Sequence, residues 1–226
     1  MRNNVYEKIE FVSFVIPYYN SIRSVSSLYN EIKFTLNKTN IRYEIIIIDD
    51  ASDKLLTIEE TEALNKMELL KYIRLPKNQG QNYATTIGVS KAKGNIIFTL
   101  DDDLYINTEF ICLGLNRFIS ENLDILYCIR EVNRQQPFYR VFISNIIKKI
   151  LCVFFNIQIS SIRVFNTKIK NEIISHIENS KLSIDKIIYF NTYKIGTMNV
   201  KIESFGKTRY NIFKLTYILI QFVCFK

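Results

Sequence analysis

The sequence predicts an α/β domain built on a mainly parallel sheet, and three observations carry that prediction. Between residues 11 and 100, short apolar runs rich in β-branched residues alternate with segments of helical period. The order β-α-β-α-β-α-β folds into a parallel sheet with right-handed crossovers. Two of the runs end abruptly in adjacent acids, Ile48-Asp49-Asp50 and Leu100-Asp101-Asp102-Asp103. Parallel neighbours bring such ends to one edge, and that edge is where open α/β sheets bind ligands.

The first run, residues 11–17, is apolar and stops at Pro17. Ser21 or Ser24 caps a helix reaching about Lys38, with Val25, Leu28, Ile32 and Leu36 on one face. Residues 43–48 form a second strand, apolar throughout, as expected when helices cover both faces of a sheet. Ser52 or Asp53 caps a weak helix ending near Lys66. Residues 70–75 form a third strand, followed by the loop Pro76 to Gln81 and a helix over residues 82–93. Gly94 stands just past that helix, where glycine is the preferred stop. The strand at residues 96–100 runs into the three aspartates.

Beyond it the pattern predicts a helix at 108–121, a strand at 124–129, a long helix at 137–156 and a strand at 157–165. Asn166 caps a helix with Ile169, Ile173, Ile174 and Ile177 on one face. A further helix spans 180–193 with Gly196 as its stop, and a short strand follows at 197–202. Residues 211–226 are apolar with Lys214, Gln221 and Lys226. That pattern suits either a helix packed on the domain or one lying on a membrane surface. The expected division is one domain over 1–210 and a short basic, amphipathic tail over 211–226.

Composition narrows the classes. With 48% hydrophobic and 23% charged residues in 226, the chain is globular and long enough for a sizeable core. Its 30 basic and 22 acidic residues leave a net charge of +8, which suits an anionic membrane surface or phosphorylated substrates. No nucleic-acid partner is expected. The four cysteines, Cys112, Cys128, Cys152 and Cys224, form no C-x-x-C pair, and His176 is the single histidine. That excludes a zinc-site reading and a disulfide framework, and fits a reducing cytosol. His176 sits beside an apolar helix face and is given no role. The polar first ten residues do not resemble a signal peptide, and no run of about 18 apolar residues offers a spanning helix.

The acids carry the chemistry. Three adjacent carboxylates repel one another, and the nearest bases in sequence are Lys93 and Arg117. A hard divalent cation, Mg2+ or Mn2+, brought with a ligand's phosphates, suits carboxylate oxygens best.

Four motifs then fall in order: Val15-Ile16-Pro17-Tyr18-Tyr19-Asn20, Ile48-Asp49-Asp50-Ala51-Ser52, Asn78-Gln79-Gly80-Gln81 and Asp101-Asp102-Asp103-Leu104. In that set the chain resembles family 2 glycosyltransferases of the GT-A fold, a Rossmann-like sheet flanked by helices. The branch it resembles is that of the polyprenyl-phosphate sugar transferases, the dolichol-phosphate mannose synthase type. Ser160-Ser161-Ile162-Arg163 and Gly206-Lys207-Thr208-Arg209-Tyr210 are similar to that branch too. The resemblance implies a nucleotide-sugar donor whose base and ribose meet Pro17, Tyr19, Ile48 and Asp50. It implies a D-x-D pair, Asp101 and Asp103, for the metal, with Asp103 most direct and Asp101 and Asp102 serving the ribose and metal shell. Arg130 matches a phosphate-contacting arginine, and Arg163, Lys207 and Arg209 match groups that grip a diphosphate or acceptor phosphate.

The implied reaction is an inverting, metal-dependent transfer of a sugar to a polyprenyl-phosphate lipid, at the inner face of the membrane from the cytoplasmic side. The alternatives are a hydroxyl acceptor on a surface polysaccharide or lipid-linked glycan, and a nucleotide-binding pseudoenzyme that partners a second protein. Ser21, Tyr105 and Glu203 depart from the branch, which usually has Glu, Gln or Ser, and Arg there. The last of these bears on the acceptor more than on the donor.

Overall fold

The computed structural model describes residues 10–21, 24–37, 39, 41–104, 108–130, 160–177, 184–189 and 192–201. The strands are β1 (Val12–Tyr18), β2 (Tyr43–Asp49), β3 (Leu70–Arg74), β4 (Ile96–Thr99), β5 (Ile125–Arg130), β6 (Arg163–Asn166) and β7 (Ile195–Val200). The helices are α1 (Val25–Leu36), α2 (Ile58–Asn65), α3 (Gln81–Lys91), α4 (Thr108–Ser120), α5 (Thr167–Ser175) and α6 (Ile184–Tyr189). The tail at 211–226, the helix expected at 137–156, and Lys207, Arg209 and Glu203 lie outside the described residues.

The strands form one mixed sheet in the order β3-β2-β1-β4-β6-β5-β7. β1, β2, β3 and β4 pair in parallel, as do β5 and β7, while β6 runs antiparallel to both β4 and β5. The sheet is therefore mainly parallel, with a single reversed strand among those described. Reversal has a consequence for the site. The start of β6, not its end, sits at the carboxyl edge of β4, with Arg163 opposite Thr99.

Alternation along the strands sorts side chains onto two covered faces. Phe14, Ile16, Ile45, Ile47, Phe98 and Leu100 pack under α1, α2 and α4. Val15, Ile46, Ile48, Ile97, Tyr127 and Phe165 pack under α3, α5 and α6. Ile45 to Ile48 are each wholly buried, which is why this strand reads as one unbroken apolar run. Burying an isoleucine side chain contributes roughly 1.5–3 kcal/mol.

Three expectations need correction. α2 starts later than Ser52 or Asp53. Its cap is Thr57, whose side chain accepts from the Glu60 N–H while the Glu60 carboxylate accepts from the Thr57 N–H. Gly94 is no helix stop, since α3 ends at Lys91. A Cβ there would meet Ser13 N at 2.7 Å and Phe11 O at 2.8 Å, so glycine lets β4 start against β1. Gly196 lies inside β7, not after a helix, and a Cβ there would strike Leu123 at 2.3 Å.

α3 seats on the sheet through Gly88, where a Cβ would lie 2.4 Å from Val15 Cγ1 and 3.2 Å from Ile48 Cγ1. Val15 is buried and β-branched, so it has little room to turn. Gly88→Ala gains up to about 1 kcal/mol in helix propensity but forces overpacking that costs typically 1–3 kcal/mol. The expected outcome is a Tm several degrees below wild type in a thermal melt. A Tm at or above wild type would show that α3 can lift without loss.

Candidate functional site

The carboxyl edge assembles because two leucines pin the acidic turn. Leu100 and Leu104, on either side of Asp101-Asp102-Asp103, are both wholly buried in the core under α1 and α4. The three acids must turn over between these anchors, at the end of β4. β1 and β2 bring the other half, with Pro17 opposite Ile48 and Tyr18 opposite Asp49. The Asp50 N–H then donates to Tyr18 O at 2.8 Å.

Alternation now separates two adjacent aspartates. Asp50 shares a face with Pro17 and Ile48, the side covered by α3, and Tyr19 follows directly after β1. Its carboxylate accepts from the backbone N–H of Gln79 at 2.8 Å and of Gly80 at 2.7 Å. This ties the β3–α3 loop to the end of β2, and Gly80 adopts φ 93°, a left-handed conformation that glycine tolerates.

Asp49 points to the opposite face and is 1% exposed. It accepts from Ser52 N at 2.9 Å, Ser52 Oγ at 2.6 Å, Tyr72 Oη at 2.6 Å and the Arg74 guanidinium at 2.6 Å. Arg74 also donates to Ser52 O at 2.7 Å. The cluster holds the turn in which Ala51 takes φ 58°. Asp49 thus braces β2, β3 and the turn that follows Asp50. A cleft of about 270 Å3 opens on this face beside Tyr18, Ser24, Asp49 and Tyr72. It is separated from Asp50 by the sheet itself.

Asp101 lies on the Asp50 face and is 8% exposed. Its Oδ1 accepts from Gln81 Nε2 at 2.8 Å and its Oδ2 from Ser161 Oγ at 2.5 Å. Asp102 and Asp103 are half-buried in the turn. Among the described residues, no three His, Cys, Asp or Glu side chains converge on a metal position. The donors present still fit a hard cation, because such ions take one or two carboxylates and complete their shell with substrate phosphates and water. Asp101 and Asp103 are the pair that would hold it.

Arg163 was expected to grip phosphate. Its guanidinium instead makes a buried fork with Asp185 on α6, Nε to Oδ1 at 3.0 Å and one terminal nitrogen to both oxygens at 2.8 Å. It also lies 5.8 Å from the Tyr127 ring centroid. Burial pushes the Asp185 carboxyl up, and the guanidinium opposes that push. Arg130 ends β5 opposite Val200 on β7; its side chain, with Lys207 and Arg209, lies outside the described residues. No described helix is long and apolar enough to cross a membrane. Burial drives the Cys128 thiol up to about 12.

Sequence reasoning missed Gln81, Ser161 and Asp185. Gln81 and Ser161 stood inside motifs already singled out, but nothing in a linear motif says which carboxylate a side chain will reach. Asp185 gave no signal, being one acid in an ordinary helical pattern.

Burial raises the Asp49 carboxyl, but its donors, led by Ser52 and Tyr72 and joined by Arg74, outweigh it and leave it below the ordinary range. A lowered folded value contributes stability that is full above the unfolded value near 3.9 and is lost as pH falls through the folded one. Asp49→Asn should therefore lower stability at neutral pH and flatten the acid limb of an unfolding-versus-pH series between pH 6 and 2. An acid limb as steep as that of wild type would remove Asp49 as its source.

The glycosyl transferase family 2 model matches residues 13–185, from β1 to α6. An undecaprenyl-phosphate 4-deoxy-4-formamido-L-arabinose transferase of Pseudomonas savastanoi pv. phaseolicola is 33% identical over 140 residues, 62% of this chain and 41% of the relative. The chain thus spans about two fifths of the length of that relative. An uncharacterized glycosyltransferase of Synechocystis is 24% identical over 90% of this chain and 65% of its own length. Among solved structures, glucosyl-3-phosphoglycerate synthase of Mycobacterium tuberculosis, with Mn2+, UDP-glucose and phosphoglyceric acid, superposes with TM-score 0.66 at 11% identity. That match covers 97% of this chain and 80% of the other. S. aureus TarS with UDP-GlcNAc gives 0.58 at 18%, covering 94% and 66%. These likenesses establish the GT-A fold, and the family match over most of the sheet and both its faces establishes that the chain belongs to glycosyl transferase family 2.

Proposed function

We propose that the chain transfers a sugar from a nucleoside-diphosphate donor to a polyprenyl phosphate. The observation that carries the donor half is convergence: Pro17, Ile48, Asp50 and Asp101 share one face of one sheet edge, with Tyr19 directly after β1 and Asp103 in the turn after Asp101. On this reading Asp50 takes a base N–H or ribose hydroxyl, and Asp102 serves the ribose. Arg130, Lys207 and Arg209 would supply positive charge to the diphosphate or the acceptor phosphate. A divalent cation held by Asp101 and Asp103 would supply positive charge for the departing diphosphate.

The acceptor half rests on the relatives named for undecaprenyl phosphate. A phosphate acceptor is already anionic. Its oxygen attacks the anomeric carbon, the bond to the nucleoside diphosphate breaks with its electron pair, and no proton has to move. Attack from the side opposite the leaving group inverts the carbon. A hydroxyl acceptor needs a carboxylate base to take its proton, whereas a phosphate acceptor needs none. The net charge of +8 suits work at an anionic membrane face, with the segment 211–226 as the contact.

The test is a melting series with UDP, GDP, CDP and ADP and their sugars, each with and without Mn2+. A ligand at about a hundred times its Kd adds roughly 2.7 kcal/mol, several degrees for a chain of this size. The expected result is a Mn2+-dependent rise with one nucleotide, lost in Asp103→Ala. Transfer of label from that sugar to polyprenyl phosphate, and not to a glycan, follows. No rise with any nucleotide would sink the transferase reading, and label on a glycan alone would sink the lipid acceptor.

A further inference from the structure

Asp101 is gripped from two sides by elements distant in sequence. One arm starts at Asp50, which fixes the Gln79 and Gly80 N–H groups and so sets the first residue of α3, Gln81. The Gln81 amide donates to Asp101 Oδ1. The other arm starts in the core. The Arg163–Asp185 fork anchors the beginning of β6, and an Arg163 nitrogen also lies 3.4 Å from Ser161 O. Thr99 Oγ1 donates to Ser161 O at 2.7 Å and accepts from the Arg163 N–H at 3.1 Å. Ser161 is thus fixed through its carbonyl, and its hydroxyl donates to Asp101 Oδ2.

Both grips are neutral. The amide and the hydroxyl each hold one carboxylate oxygen and so fix its orientation. A nearly buried carboxylate held in one orientation is what a cation-bound diphosphate requires of its site, since little reorganisation is then left to the binding step.

We infer that Gln81 and Ser161 are positioning residues of the transfer, holding Asp101 for a cation-bound nucleoside diphosphate, and that Arg163 acts through Ser161. The inference rests on the transferase reading above. The test measures free Mn2+ by its electron spin resonance signal, with Mn2+ alone and with each of UDP, GDP, CDP and ADP, on wild type, Ser161→Ala, Ser161→Thr, Gln81→Ala and Gln81→Leu. Ligand-free melting of each variant runs alongside.

Loss of one such outer group typically costs 10- to 100-fold in metal affinity. The expected result is a weakening of that size in Ser161→Ala and in both Gln81 variants. Ser161→Thr, which keeps the hydroxyl, stays near wild type, and the ligand-free Tm values stay within a few degrees of one another. Wild type that binds while Ser161→Ala and the Gln81 variants bind equally well would overturn the grip and leave the transferase reading standing. Wild type that retains neither Mn2+ nor any nucleotide would overturn both. Should Ser161→Ala fail to fold, the half-buried Gln81 decides alone: unchanged affinity in Gln81→Ala overturns the inference and a drop supports it.

Discussion

Carboxylates crowded at one edge of a parallel sheet are the constraint on which the rest of this structure depends. Two like charges about 4 Å apart repel by about 4 kcal/mol at an effective dielectric of 20, a sizeable part of the stability of a whole domain. Each buried acid of the edge is therefore given donors from elsewhere in the chain. Asp49 draws on Tyr72, Arg74 and Ser52, Asp50 on the loop at Gln79 and Gly80, and Asp101 on Gln81 and Ser161. The positions of β3, the start of α3 and the start of β6 follow from those bonds as much as from the apolar core.

The donors divide by charge. Asp49 and Asp185 receive a guanidinium and are taken up inside the fold. Among the described residues, Asp50 and Asp101 receive neutral N–H and O–H groups. Asp49 and Asp50 are adjacent in sequence and opposite in assignment because one step along a strand reverses the face.

Much of this was legible in the sequence, and the failures have physical reasons. The strands ending in acids were readable because a two-face-covered strand is apolar throughout, so the first acid marks its end. The cap at Thr57 was readable as well, since Thr57 and Glu60 stand at capping-box spacing, but Ser52 and Asp53 offered an earlier start. The reversal of β6 was not readable: residues 163–166 look alike whichever way they run, and only pairing with β4 and β5 sets the direction. Gly94 and Gly196 misled because glycine marks a helix stop and a close approach with the same letter. Arg163 misled because a basic residue in a phosphate-like motif says nothing about burial, and Asp185, 22 residues away, decides it.

Reversal of that strand also explains why the site cannot be separated from the fold. Were β6 parallel to β4, its start would lie at the far end of the sheet and Ser161 would be unable to reach Asp101. Running backwards, it delivers Ser161 to the acidic edge across 60 residues of sequence, and the Arg163–Asp185 pair behind it ties that delivery to α6. A buried charge pair is seldom a net source of stability, since desolvation offsets most of the attraction. Its value here lies in geometry: it gives one side chain in a mostly apolar layer a single direction, and through Ser161 that direction becomes the orientation of Asp101.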